Sequence, residues 1–120
     1  MPFRGAHYII AAFLVVTIAA FWPSYFSILG AAPGAHHIHG VTATLWVLLL
    51  IWQSWSIRQP NFALHKWGGR TSFLLAPPFV AGGLLVTKVT VIKDSPFTEM
   101  FAISLSFADF ASVAAFVLFY

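Results

Sequence analysis

Few side chains in this sequence could do chemistry. Five histidines stand at positions 7, 36, 37, 39 and 65, against only three acidic residues in the whole chain. His36 and His39 are three residues apart, so on a helix they share a face and could hold a divalent metal or titrate near neutral pH. A closed metal site needs about four ligands, and no carboxylate lies near them in sequence. The expectation is interfacial histidines at a helix start and no bound metal. Asp109 is the sharper feature, because it falls midway through a long apolar run. A bare carboxylate at that depth is expensive, and an intramembrane acid is by default a functional hypothesis. Asp109 must be protonated, hydrogen-bonded to a hydroxyl such as Thr17 or Thr44, or paired with another chain. A neutral acid tying helices together, a proton or ion site and an inter-subunit contact all meet that demand.

The composition says what surrounds these residues. Sixty per cent of the 120 residues are hydrophobic and 8% are charged, against roughly a quarter charged in soluble domains. A domain this small cannot bury so much apolar surface, so a water-soluble reading is excluded and lipid is the expected surroundings. A net charge of +3 is too small a surplus to indicate nucleic-acid binding. The absence of cysteine removes disulfides, thiolate metal sites, iron–sulfur clusters and c-type haem attachment together. No paired-carboxylate site, phosphate-cradling glycine motif or metalloprotease signature is present, and no enzymatic activity is expected.

Crossing a bilayer core about 30 Å thick takes about 20 apolar residues of helix. Runs of that size predict an all-α, four-transmembrane-helix bundle in a single domain covering 1–120, with spans at about 8–29, 36–57, 71–92 and 97–120. Arg4, the first apolar run and Gly30-Ala31-Ala32 also outline a signal peptide, but the run is too long for a signal core and predicts a retained helix. Pro23 should kink or end that helix. Residues 58–70 read as a polar linker, with Pro60 and Asn61 turning the chain and Gly68-Gly69 freeing it before the third span. Pro77-Pro78 and Gly82-Gly83 predict a kink or a close helix contact. Asp94 or Ser95 is a plausible N-cap for the fourth span. Arg4, Arg58, Lys66 and Arg70 fall on one side and Lys88 and Lys93 on the other, which places both termini in the cytoplasm. Trp52, Trp55 and Trp67 would then belt the inner interface.

His39, Trp46 and Gln53 recur at seven-residue spacing with Thr42 between them, so they share one helix face. In a lipid-embedded helix such a stripe faces other helices, because Gln53 needs a hydrogen-bond partner; the same geometry could line a haem, quinone or pigment pocket. Bis-histidine haem b needs two histidines at one depth on facing helices. His7 and His65 both fall near the inner face and would pair only if His65 projects into the bundle. His39 has no counterpart, since the third and fourth spans hold no histidine. No cofactor is expected, with haem b through His7 and His65, or His39 and an outside ligand, as the alternative. Ser104, Ala108, Ser112 and Ala115 give the fourth span a small-residue face beside Asp109, suited to close approach of a partner helix. Leu64-His65-Lys66-Trp67-Gly68-Gly69-Arg70 combines cations with an interfacial aromatic and suits anionic lipid headgroups or a neighbouring subunit.

His39-Gly40, Trp46, Gln53, Arg58 and then Leu64-His65-Lys66-Trp67-x-Gly69-Arg70 form a pattern over roughly residues 36–75. It resembles one found in uncharacterised bacterial predicted multi-pass inner-membrane proteins: a His-Gly opens one span, a Gln and an Arg close it, and a Leu-His-basic-x-x-Gly-Arg turn leads into the next. The resemblance implies a polytopic protein of the bacterial inner membrane and supplies no activity. Together these features lead to the expectation of a non-catalytic accessory subunit of a larger membrane complex, respiratory or photosynthetic, with Asp109, Ser112, Lys66 and Arg70 as partner-binding residues. A small haem b redox protein and a proton or ion pathway through Asp109 are the alternatives.

Overall fold

The computed structural model describes residues 5–23 and 25–92, together with 107, 110–112, 114, 115 and 118. Every described element is a helix: α1 (Ala6–Phe21), a 3-10 segment (Phe26–Ala31), α2 (Gly34–Ser56) and α3 (Phe62–Ile92). α2 and α3 are long and apolar enough to cross a membrane, whereas α1 is a shorter apolar helix. The described residues are thus all-α, with two helices of spanning length where four spans were expected over the whole chain. The stretch expected as its fourth span, with its Asp94 or Ser95 cap and with Asp109, lies outside the described residues apart from the seven scattered positions just named.

Local sequence accounts for the helix ends. α1 ends at Phe21, two residues before Pro23, whose ring and missing N–H cannot continue a helix. Pro33 precedes α2 with extended backbone (φ −60°, ψ 148°), and its carbonyl accepts the amides of His36 (2.9 Å) and His37 (3.4 Å). After α2 the chain turns within residues 57–61. Asn61 then caps α3, its Oδ1 accepting the Ala63 amide at 3.0 Å, as a side-chain oxygen does at a helix start.

That cap corrects the sequence expectation for the linker. The polar connection is short, and His65, Lys66, Trp67, Gly68, Gly69 and Arg70 belong to the first turns of α3. Glycine weakens a helix interior by about 1 kcal/mol relative to alanine, but packing explains it here. A Cβ on Gly68 would stand 3.0 Å from the Gln53 side chain and 3.1 Å from Trp52, and one on Gly82 would stand 3.0 Å from the His39 Cα and 3.2 Å from its nitrogen.

α2 and α3 therefore form an antiparallel hairpin with a tight seam. Position 39 faces 82, 53 faces 68, and 56 approaches 65, so the numbers rise on one helix as they fall on the other. The buried positions among the described residues are all small: Ser56, Gly68, Ala76, Gly82 and Thr87. α1 packs on the other side of α2, and Gly40 of α2 admits the Tyr25 ring, 3.0 Å from where a Cβ would be. Hydroxyls along the helices bond back to the preceding turn: Thr17 to the Phe13 carbonyl at 2.9 Å, Thr42 to Ile38 at 2.7 Å, Thr44 to Gly40 at 2.7 Å and Thr87 to Gly83 at 3.0 Å. Such bonds satisfy a hydroxyl without water.

Gly82→Leu tests the seam. Leucine is the better helix former, so any loss reports the clash with the His39 backbone, expected to be about 1–3 kcal/mol for an overpacked contact. Melting of the helical circular-dichroism signal measures it. Gly34→Ala, where nothing lies within 4 Å of the added methyl, should leave the melt unchanged or raise it.

Candidate functional site

Four of the residues singled out for chemistry, His39, Trp46, Gln53 and His65, meet at the seam between α2 and α3. The stripe of α2 does face α3. The Phe79 ring lies between two partners, stacked on His39 (centroids 5.7 Å apart, 19° between planes) and on Trp46 (5.6 Å, 10°). His39 and Trp46 are seven residues apart, about 10 Å along the helix, so one aromatic ring of α3 bridges two turns of α2. Gln53, the third member of the stripe, packs over Gly68, and its Nε2 stands 3.5 Å from the Cβ position of Gly69.

Below Gln53 is a polar knot. Ser56 is fully buried, and its hydroxyl lies 3.2 Å from the Gln53 carbonyl, 3.4 Å from Gln53 Oε1 and 3.4 Å from Nδ1 of His65. A serine beside a histidine is the first requirement of nucleophilic catalysis. Here the hydroxyl is shut off from any substrate and shared with Gln53. Residues 1–92 contain no Asp or Glu to orient the imidazole as a third member. The contact joins the end of α2 to the start of α3.

The histidine cluster disperses. Successive residues of a helix point about 100° apart, and the structure follows that geometry. His37 turns toward α1's side, where its Nδ1 lies 3.1 Å from the Tyr25 hydroxyl, while His39 turns toward Phe79. The Nδ1 atoms of His36 and His7 are buried without a hydrogen-bond partner among the described residues, and the His7 ring lies against Tyr8 (4.1 Å, 39°). Among the described residues no three His, Cys, Asp or Glu side chains come together as a metal site. His65 turns inward from α3, with its Nδ1 against the Ser56 hydroxyl. Thr17 and Thr44, considered as partners for Asp109, donate to carbonyls of their own helices; Asp109 itself lies outside the described residues.

No family model, curated protein or solved structure matches the chain.

Three participants escaped the sequence reading. Phe79 sits in no repeat, and its only signal is its place after Pro77-Pro78. Tyr25 looks like one more interfacial aromatic until Gly40, fifteen residues on, is seen to make room for it. Ser56 is an unremarkable polar residue at a helix end. Lys66 and Arg70 are exposed on α3, at the end of the hairpin where Trp52 and Trp55 pair (centroids 5.4 Å).

Phe79→Ala removes both stacks at once. Each aromatic contact contributes about 0.5–1.5 kcal/mol beyond its buried area, so a loss of roughly 1–3 kcal/mol is expected from the stacking alone, read by thermal melting. Phe79→Leu should recover the area but not the stacking, and fall between.

Proposed function

We propose that this chain is a multi-pass protein of the bacterial inner membrane and a non-catalytic accessory subunit of a larger membrane complex, a respiratory or photosynthetic assembly being the natural host. The observation that carries the reading is how the hairpin spends its side chains. Its polar and aromatic stripe is taken up between α2 and α3, while its outer faces carry large apolar side chains such as Phe73 (73% exposed), Leu74 (79%) and Leu48 (46%).

Burial also separates this chain from a soluble protein with apolar core helices. The most apolar 18-residue stretch of α2 has no buried residue, and in α3 the buried share is 17%. A soluble core helix would be largely covered. Lipid or protein must cover these faces, since a contiguous exposed apolar surface of this extent marks an interaction site. Phe107, Phe110 and Leu118 are exposed as well (75%, 58% and 80%); they flank Asp109 and Ser112 in sequence and supply the apolar surround for a partner helix there. Arg58, Lys66 and Arg70 gather at the 57–61 end of the hairpin, which by the positive-inside rule is the cytoplasmic end, with both chain termini on that side. The His-Gly to Gly-Arg pattern, resembling that of bacterial inner-membrane proteins, agrees with this placement.

Extraction in a mild detergent followed by native gel electrophoresis tests the proposal. The chain is expected to migrate with stoichiometric partner subunits, and Asp109→Asn should weaken that association. Migration alone in several mild detergents would sink the accessory-subunit reading. The visible spectrum of the purified chain serves as the second arm: no Soret band is expected, and a band abolished by His65→Ala would establish haem b binding in its place.

A further inference from the structure

Between α2 and α3, on the outer side of the seam, lies an open groove of about 500 Å³ lined by Leu45, Leu48, Leu49 and Trp52 from one helix and Thr71, Leu74, Leu75 and Pro78 from the other. Its lining is almost wholly apolar, because the Thr71 hydroxyl is bonded back to the Trp67 carbonyl at 3.0 Å. Lys66, Arg70, Leu74 and Pro78 succeed one another at four-residue intervals, so they form one line along α3. Two exposed cations thus lead directly into an apolar channel.

The cations lack a counter-charge from their own part of the chain, since residues 1–92 contain no carboxylate. None of the described residues beyond Ile92 is acidic either, so an anion from outside would complete the charge here. From Lys66 to Pro78 the line runs about 18 Å, close to half of a 30 Å hydrocarbon core plus a headgroup. The order along it, two cations and then an aliphatic groove, is the order of phosphate and acyl chain in one leaflet.

Resting on the membrane reading above, we propose that this face is a binding site for an anionic glycerophospholipid, its phosphate at Lys66 and Arg70 and one acyl chain in the groove between Leu48 and Leu74. Trp52 and Trp67 flank the headgroup end, at the level where amphipathic rings settle in a bilayer. The site is more selective than a diffuse basic surface because headgroup and chain must fit together.

Native mass spectrometry of the full chain, released from detergent with graded dioleoyl-phosphatidylglycerol or dioleoyl-phosphatidylcholine, reads the site. The wild type is expected to retain one phosphatidylglycerol under conditions that strip phosphatidylcholine. The double variant Lys66→Gln/Arg70→Gln should lower that retention roughly twenty-five-fold, about five-fold for each cation removed. Leu74→Trp, which fills the groove and leaves both cations, should lower it too, whereas Lys88→Gln near the other end of α3 should not. Circular dichroism confirms that each variant keeps its helices. Equal retention of the two lipids, unchanged retention in the double variant, displacement by glycerol phosphate as readily as by whole lipid, or a lipid-free dimer occupying this face would each overturn the proposal. If alkaline extraction releases the chain from membranes, the membrane reading fails along with it; a chain that stays in the membrane but shows no lipid preference removes this inference alone.

Discussion

The hairpin depends on how closely two backbones approach at Gly68 and Gly82. With side chains at those positions, α3 would stand off from α2, Phe79 would no longer reach between His39 and Trp46, and the Ser56 hydroxyl would lose His65. In a bilayer this closeness matters more than in water. Lipid tails are as apolar as leucine, so helices are held by van der Waals packing and interhelical hydrogen bonds rather than by expulsion of apolar groups from solvent. Small residues at the seam supply the first. The Ser56–His65 contact at one end supplies the second.

The same arrangement bears on chemistry. An imidazole stacked on a phenyl ring, a serine sealed under a glutamine and a histidine held by a tyrosine hydroxyl are all occupied in holding elements together. The Ser56 hydroxyl and the His37 ring each sit where a partner can satisfy them, as burial away from water requires. The exposed surface of the hairpin is mostly aliphatic and aromatic, with Arg58, Lys66 and Arg70 at one end and Lys88 near the other.

The sequence made much of this legible, and the unread parts have physical causes. Seven-residue spacing placed His39, Trp46 and Gln53 on one face because helical periodicity is a property of the backbone, and the structure puts that face against α3. Pro23 marked the end of α1 for an equally local reason. The start of α3 was hidden because charges and paired glycines usually signal a loop, whereas here Asn61 caps the helix early and the glycines answer to a neighbour 15 residues away in sequence. Phe79 was invisible because its role is set by tertiary register, which no local pattern encodes. His36, His37 and His39 looked like a cluster only along the chain. On a helix, adjacency in sequence separates side chains around the axis, and each ring found a different surround.

One consequence of the helix lengths concerns the bilayer itself. α3 has 31 residues and α1 has 16, so at 1.5 Å per residue they measure about 46 Å and 24 Å, on either side of a hydrocarbon core of about 30 Å. A helix that is too long tilts or emerges, and one that is too short draws the membrane thinner beside it. In α3 the uncharged stretch between Arg70 and Lys88 is 17 residues, about 26 Å, so in a bilayer the excess length would emerge as the first turns, from Phe62 to Arg70.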